Sequence, residues 1–170
     1  WICQHMGIDE DDFYEAIATF AGASKRLEKI AESDACIIFK DFAHSPSKVE
    51  ATTNAVKEQY QERLLVACLE LHTYSSLNAE FLQQYKGALD AADIAVVFYS
   101  PNAVAIKKLK EVSHEQIKNA FNKNDLIIYN NPVHFQEYLF SMNFTDKTLL
   151  LMSSGDYGGL NFKDLKKLIK

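Results

Sequence analysis

The stretch Ala35-Cys-Ile-Ile-Phe-Lys-Asp-Phe-Ala-His-Ser-Pro46 decides the fold. It begins with a continuous apolar run, passes through a short polar loop, and reaches a proline that suits the first turn of a helix. A strand that is apolar at every position is typical of a sheet covered on both faces. The stretch therefore predicts a buried strand, a loop at the carboxyl end of that strand, and a helix that begins near Ser47.

The same alternation continues to the end of the chain. Apolar runs predict further strands at residues 64–69, 94–98, 126–129 and 148–152. Helical spacing or capping residues predict helices at about residues 47–60, 77–91, 113–121 and 133–140, with a last helix after Gly155, Gly158 and Gly159. This order predicts an α/β fold with a Rossmann-like, mainly parallel sheet flanked by helices on both faces. Ligands of such a sheet bind at the carboxyl ends of its strands.

The first part of the chain does not follow this alternation. Residues 9–20 carry Phe13, Ile17 and Phe20 at helical spacing behind a cluster of acids, which predicts a short amphipathic helix that Gly22 ends. Two short strands are expected at residues 26–30 and 35–39, with a turn between them. We therefore assign residues 1–25 to the tail of a preceding domain and residues 26–170 to the α/β domain.

Composition argues against several classes of protein. The 18 basic and 23 acidic residues give a net charge of −5, whereas nucleic-acid binding needs a concentrated basic surface. No apolar stretch has the length of a membrane span, and the start has no signal-peptide pattern. Cys36 and Cys68 lie inside apolar runs and are expected in the core, and unpaired cysteines are typical of a cytoplasmic protein. The histidines have no metal-ligand spacing, so no metal site is expected.

The loop at residues 40–46 has the residues of a binding site. It ends a strand and opens a helix, where backbone N–H groups favour a phosphate or a carboxylate. Asp41 could accept hydrogen bonds from sugar hydroxyls, and His44 and Ser45 could donate to an anion. The residues alone equally allow a capping turn with an exposed histidine.

This loop resembles a known signature. Asp41-Phe-Ala-His44-Ser-Pro46 is similar to the Asp-Tyr-Ala-His-x-Pro motif that opens the C-terminal domain of Mur ligases. Gly22-Ala-Ser-Lys-Arg26-Leu-Glu28 resembles the Gly-x-x-x-Arg-x-Glu segment that closes the central domain of those enzymes. The resemblance covers nearly the whole chain. It is closest to the muramate-peptide ligases that recycle the cell-wall tripeptide, with the UDP-N-acetylmuramate–L-alanine ligases as near relatives.

The resemblance implies a function and a nucleotide site. A Mur ligase uses ATP and magnesium to join an amino acid or the murein tripeptide to UDP-N-acetylmuramate through an acyl phosphate, and its C-terminal domain closes as a lid. By this resemblance Arg26, Asp41, His44 and Ser45 contact ATP. The phosphate-binding groups lie mainly in the central domain, and these 170 residues contain no Gly-x-x-x-x-Gly-Lys-Ser/Thr motif. No catalytic residue is therefore expected here, and this segment alone is expected to be inactive.

The resemblance also implies a place for the amine substrate. The loop at residues 71–76 is similar to the His-x-Tyr-Ser segment of the alanine-adding relatives, so His72 and Tyr74 are expected near that substrate, together with Ser153 and Ser154. A polar loop that caps the next helix explains residues 71–76 equally well. Residues 155–159 lack the Lys-Ser/Thr of a phosphate loop and predict a tight turn with positive φ. Ala103 follows Asn102 where diaminopimelate-adding relatives carry arginine, which argues against that subfamily.

The alternative is a stand-alone nucleotide- or ligand-binding α/β module without catalytic activity. A receiver-like module would need clustered acids at the strand ends, and the sequence offers Asp41 with Glu70 near the end of the next strand. The region upstream of Trp1 would discriminate between the two hypotheses, because only a ligase needs a domain with a phosphate loop there.

Overall fold

A six-stranded sheet forms the centre of the protein, which is described by a computed structural model at residues 1–19 and 26–169. Its strands stand in the order β1-β2-β6-β3-β4-β5; β1 is antiparallel to β2, and the other neighbours are parallel. The strands are β1 (Glu28–Glu32), β2 (Cys36–Asp41), β3 (Leu64–Leu71), β4 (Ile94–Tyr99), β5 (Ile127–Tyr129) and β6 (Lys147–Met152). The predicted α/β class and the mainly parallel sheet are confirmed.

Helices cover both faces of this sheet. The described residues form the helices α1 (Ile2–His5), α2 (Glu10–Ala18), α3 (Pro46–Gln59), α4 (Ala79–Leu82), α5 (Pro101–Ile106), α6 (His114–Phe121) and α7 (Pro132–Ser141), with 3-10 turns at Gln83–Tyr85 and Asp164–Leu168; the helices on the sheet are among those that follow β2. Val49 and Val56 of α3 and Phe121 of α6 pack on one face. Phe135 and Leu139 of α7 pack on the other. The chain crosses to this second face where it turns back from β5 to β6, as right-handed crossovers require.

Local signals account for the helices whose bounds were predicted well. Pro46 occupies the first turn of α3. Ser113 accepts a hydrogen bond from the backbone N–H of Gln116, whose side chain bonds back to the Ser113 N–H in a capping box that begins α6. Asp9 caps α2 through its side chain, which accepts a hydrogen bond from the Asp12 N–H. Phe20 and Gly22, which were expected to end that helix, lie outside the described residues.

Two of the predicted helices are wrong in form. Residues 77–91 do not make one helix: α4 passes into a 3-10 turn, and Lys86 then takes an extended ψ of 121° before Gly87 at φ 78°. The amide of Gly87 donates to the carbonyl of Phe121, so a contact with α6 replaces a helical hydrogen bond. The last helix is a single 3-10 turn, Asp164–Leu168. Residues 101–106, where no helix was predicted, form α5 with Pro101 in its first turn.

The first two helices contribute nothing to the core. Neither α1 nor α2 has a buried residue, and Trp1, Phe13 and Ile17 are exposed. The assignment of residues 1–25 to a preceding domain stays a prediction. Cys36 and Cys68 are buried as expected, and the three cysteines are free thiols.

The aromatic stack on the α7 face should contribute strongly to the free energy of unfolding. Phe135 is fully buried, and its ring stacks on Tyr157 with centroids 5.1 Å apart. We expect Phe135→Ala to lower the free energy of unfolding by about 3–5 kcal/mol, because a buried aromatic ring leaves a cavity. Phe140 lies on the same helix but is 40% exposed, so Phe140→Ala should cost less than about 1 kcal/mol. Urea unfolding of both variants measures the difference, and equal losses would contradict this packing.

Candidate functional site

Four strands end at the same edge of the sheet. Asp41 pairs in register with Met152, Leu69 pairs with Met152, and Leu71 pairs with Tyr99. Since β6 lies between β2 and β3, the residues that follow it face the ends of both neighbours. The loops expected to bind ligands therefore meet at one place, which we call the carboxyl edge.

Asp41 organises the first part of this edge. Its Oδ2 accepts a hydrogen bond from the Leu27 amide at 2.6 Å, and its Oδ1 accepts one from the Ala43 amide at 2.6 Å. Leu27 has a positive φ of 42°, so this contact holds an uncommon backbone conformation just before β1. Asp41 thus connects the start of the α/β unit to the loop at residues 40–46.

A depression of about 250 Å³ opens beside this turn. Its polar lining consists of Arg26, Asp41, Lys48 and Thr52, and Phe42 presents a half-exposed ring next to them. The predicted pair Arg26 and Asp41 is therefore brought together. Lys48 was not singled out from the sequence, although its place in the first turn of a helix after a strand was a usable signal.

His44 and Ser45 are in the same loop but do not line the depression. The Nδ1 of His44 lies 2.8 Å from the carbonyl of Phe42, and the ring meets the Phe42 ring edge to face. Ser45 is the N-cap residue of α3, but its side chain makes no capping hydrogen bond.

A buried tyrosine fixes the backbone at His44. The hydroxyl of Tyr85 donates to the His44 carbonyl at 2.5 Å, and its ring stacks on Phe121. Burial raises the pKa of Tyr85 to about 12. The phenol therefore stays protonated and keeps donating throughout the physiological pH range.

A second group of polar side chains occupies the ends of β3 and β6. Glu70 is buried, and its Oε2 accepts hydrogen bonds from the hydroxyl of Ser153 and, at 2.9 Å, from the amide of Tyr157. Its Oε1 lies 3.5 Å from the Nδ1 of His72. Ser153 Oγ in turn accepts from the Gly155 amide at 2.6 Å. We call Glu70, His72, Ser153, Gly155 and Tyr157 the Glu70 cluster.

Of the four residues expected near the amine substrate, His72 and Ser153 belong to this cluster. Ser154 is next to it, and its hydroxyl has no hydrogen-bond partner in the described part of the chain. Tyr74 is exposed, and the ammonium of Lys107 lies 5.2 Å from the centre of its ring. From the sequence, Glu70 was expected only to be an acid near a strand end. Its position as the single carboxylate in the apolar run of β3 was a usable signal of a buried hydrogen-bonding partner.

The side chain of Tyr157 is buried beneath the Glu70 cluster and is hydrogen-bonded to backbone carbonyls. Its hydroxyl lies 2.7 Å from the carbonyl of Cys68 and 2.9 Å from that of Met152, so its single proton is shared between these two acceptors. Burial raises the pKa of Tyr157 well above its usual value, and it also raises the pKa of Cys68. Both groups therefore stay neutral beside Glu70. Tyr157, Gly158 and Gly159 all have positive φ, which confirms the tight turn predicted at residues 155–159.

The described residues contain no group of three or more His, Cys, Asp or Glu side chains placed to hold a metal ion. Among the helices of residues 1–19 and 26–169, none combines the length and the apolar character needed to cross a membrane.

Known proteins resemble this chain in sequence and in fold. A UDP-N-acetylmuramate–L-alanine ligase from Microcystis aeruginosa is 33% identical over 138 residues, which are 77% of this chain and 28% of that enzyme. No family model matches. The chain is a homologue of the Mur ligases. It spans less than a third of the length of the curated relatives that it matches.

Solved structures share the fold of this Mur ligase homologue. The UDP-N-acetylmuramate–alanine ligase of Thermotoga maritima aligns with a TM-score of 0.70 at 15% identity, over 98% of this chain and 34% of that one. The murein peptide ligase of Psychrobacter arcticus aligns with a TM-score of 0.69 at 20% identity, over 91% of this chain and 32% of that one. The resemblance noted in the sequence is thus confirmed.

The Glu70 cluster requires glycine at position 155. A Cβ on Gly155 would lie 2.7 Å from Oε2 of Glu70 and 2.8 Å from Nδ1 of His72. We expect Gly155→Ala to displace the His72 ring and to lower the free energy of unfolding by about 1–3 kcal/mol. Urea unfolding and the NMR signals of the His72 ring measure the two effects.

Gly159→Ala is the matched control. A Cβ there meets no heavy atom within 4 Å, although φ is 98°. Its backbone strain should cost about 1–2 kcal/mol without moving the ring. Unchanged His72 signals in Gly155→Ala would contradict the close approach.

Proposed function

We propose that this chain is the C-terminal lid of an ATP-dependent ligase that joins L-alanine or the murein tripeptide to UDP-N-acetylmuramate. The observation that carries the proposal is the meeting of Arg26, Asp41 and Lys48 around one depression at the carboxyl edge. The Microcystis aeruginosa relative, by its name, acts on UDP-N-acetylmuramate and L-alanine. The Psychrobacter arcticus neighbour is named a murein peptide ligase.

The depression suits a nucleotide by its charges. Arg26 and Lys48 supply two cations that can pair with phosphate oxygens, and α3 begins beside them with its partial positive charge. Asp41 remains able to accept a hydrogen bond from a ribose hydroxyl, since a carboxylate has about four acceptor positions and two are used here. The half-exposed ring of Phe42 adds an apolar surface. His44 and Ser45 are proposed to contact the nucleotide once the lid is closed.

The Glu70 cluster is proposed to face the amine substrate. His72, Ser153 and Ser154 follow β3 and β6, next to the nucleotide depression and on the same edge of the sheet. Lid closure would then bring nucleotide and amine together and keep water from the activated carboxyl group. Tyr74 is exposed in the loop that follows β3, and we propose that it contacts the amine substrate or another domain of the enzyme.

By the resemblance to Mur ligases, the phosphate-binding groups lie mainly in the central domain, and the described residues contain no group of three or more His, Cys, Asp or Glu side chains placed to hold a metal ion. We therefore propose that magnesium and most of the phosphate contacts belong to other parts of the enzyme. We place the activity in the cytoplasm, since all three cysteines are free thiols.

Phosphate release by the full-length product of the gene tests this function. The assay supplies ATP and UDP-N-acetylmuramate, with L-alanine and the murein tripeptide in separate reactions. Release with the tripeptide supports the recycling activity, and release with L-alanine alone supports the biosynthetic one. A folded full-length protein that binds nucleotide but releases no phosphate with either amine would favour the binding-module alternative.

Arg26→Ala in the full-length protein tests the nucleotide depression. Arg26 is an exposed side chain at its rim. We expect the KM for ATP to rise on the order of 10-fold, since a charge-assisted hydrogen bond contributes about 1.5–3 kcal/mol. Lys29→Ala is the control, because Lys29 lies nearby on β1 and pairs with Glu32 instead. Steady-state kinetics measures the KM for ATP of both variants. An unchanged KM for ATP in Arg26→Ala would mean that Arg26 does not contact the nucleotide.

A further inference from the structure

The Glu70 carboxylate lies within an apolar strand and has few possible partners. Its side chain is 1% exposed, whereas that of His72 is 39% exposed. A buried carboxylate needs hydrogen bonds or a countercharge to remain ionised. Oε2 receives the Ser153 hydroxyl and the Tyr157 amide. Oε1 faces only the imidazole of His72 among the ion pairs of the described residues.

The other groups around Glu70 add no charge. The hydroxyl proton of Tyr157 is donated to backbone carbonyls, and burial keeps this side chain a neutral phenol by raising its pKa. Cys68 is a buried thiol on the same strand. Ser153 is neutral. His72 is thus the one side chain of the Glu70 cluster that can respond to the charge on Oε1.

We propose that Glu70 is a positioning residue that holds the ring proton of His72 on Nδ1 and so presents Nε2 as a proton acceptor at the carboxyl edge. Oε1 of Glu70 and Nδ1 of His72 are 3.5 Å apart, an ion-pair distance at which the charge of the carboxylate favours a proton on the nearer ring nitrogen. A carboxylate oxygen can only accept, so Oε1 selects a proton on Nδ1. Nε2 then keeps its lone pair.

The acceptor suits one chemical class of ligand, a primary amine, and this part rests on the proposed function. An amine bound as an ammonium must lose two protons as its nitrogen forms a bond to the activated carboxyl carbon and the bond from that carbon to the phosphate oxygen breaks. One proton passes to Nε2 of His72, and the other leaves with the phosphate. His72 then acts as a general base, and Glu70 orients it and stabilises the imidazolium.

The substitution Glu70→Gln tests the role of Glu70 in placing the ring proton of His72. The Ser153 hydroxyl and the Tyr157 amide both donate to the Oε2 position, so the amide oxygen of glutamine must occupy it. The amide NH₂ group then takes the Oε1 position and turns a donor, instead of a negative charge, towards Nδ1 of His72. The substitution preserves the shape of the side chain and the two hydrogen bonds at the Oε2 position, and it should move the ring proton from Nδ1 to Nε2.

NMR of the protein with ¹⁵N-labelled histidine tests this step, at about pH 9, above the usual titration range of histidine. We expect the His72 ring to carry its proton on Nδ1 in the native protein and on Nε2 in Glu70→Gln. His72→Gln assigns the signal. Ser153→Ala is the matched control, because it removes a donor to Oε2 and leaves Oε1 a carboxylate, so the proton should stay on Nδ1. A native ring with its proton on Nε2 would overturn the proposal without any variant.

Kinetics of the full-length enzyme tests the role in catalysis. We expect both His72→Gln and Glu70→Gln to lower kcat on the order of 100-fold with little change in the KM for ATP. If both variants lose activity only because a KM rises while kcat is unchanged, the role of His72 as a general base is wrong. Absence of ligase activity in the native full-length protein would instead refute the proposed function, while the position of the His72 proton would still decide what Glu70 does.

Discussion

A single buried carboxylate, that of Glu70, holds the carboxyl edge of this sheet together. It is the one charged side chain in the apolar interior of β3, and it accepts hydrogen bonds from Ser153 and Tyr157, which follow β6. An ionised group at such a depth is tolerated only when its acceptor positions are filled. The turn at residues 155–159 therefore takes one conformation, and Gly155 is needed because its backbone runs against the carboxylate.

The position of β6 connects this local interaction to the loop that follows β2. Because β6 is inserted between β2 and β3, Ser153 contacts both neighbours: its amide donates to the carbonyl of Asp41, and its hydroxyl donates to Glu70. The depression lined by Arg26 and Asp41 and the cluster around His72 are thereby joined through one residue. In the proposed function, this connection links the surface that would bind the nucleotide to the one that would face the amine.

Local chemistry in the sequence predicted most of the elements but not their arrangement. The apolar run at residues 35–39, Pro46 at the start of α3 and Ser113 as the cap of α6 are decided by neighbours in sequence, and each was predicted. The place of β6 depends on contacts between distant residues, which no local pattern contains. The helix expected at residues 77–91 is interrupted because Gly87 bonds to Phe121 of α6. His72 and Ser153 were identified through a family resemblance, whereas the pairing of Glu70 with both required the sheet order.

Amide hydrogen exchange at Tyr157 tests the central role of Glu70 most directly. The amide of Tyr157 lies in an irregular turn, where exchange would ordinarily be fast. Because it donates to the buried carboxylate, it should exchange as slowly as the amides of β6 and far more slowly than that of Gly158, which follows it in the same turn. Exchange at Tyr157 as fast as at Gly158 would mean that Glu70 does not hold the turn, and the account of the carboxyl edge would be wrong.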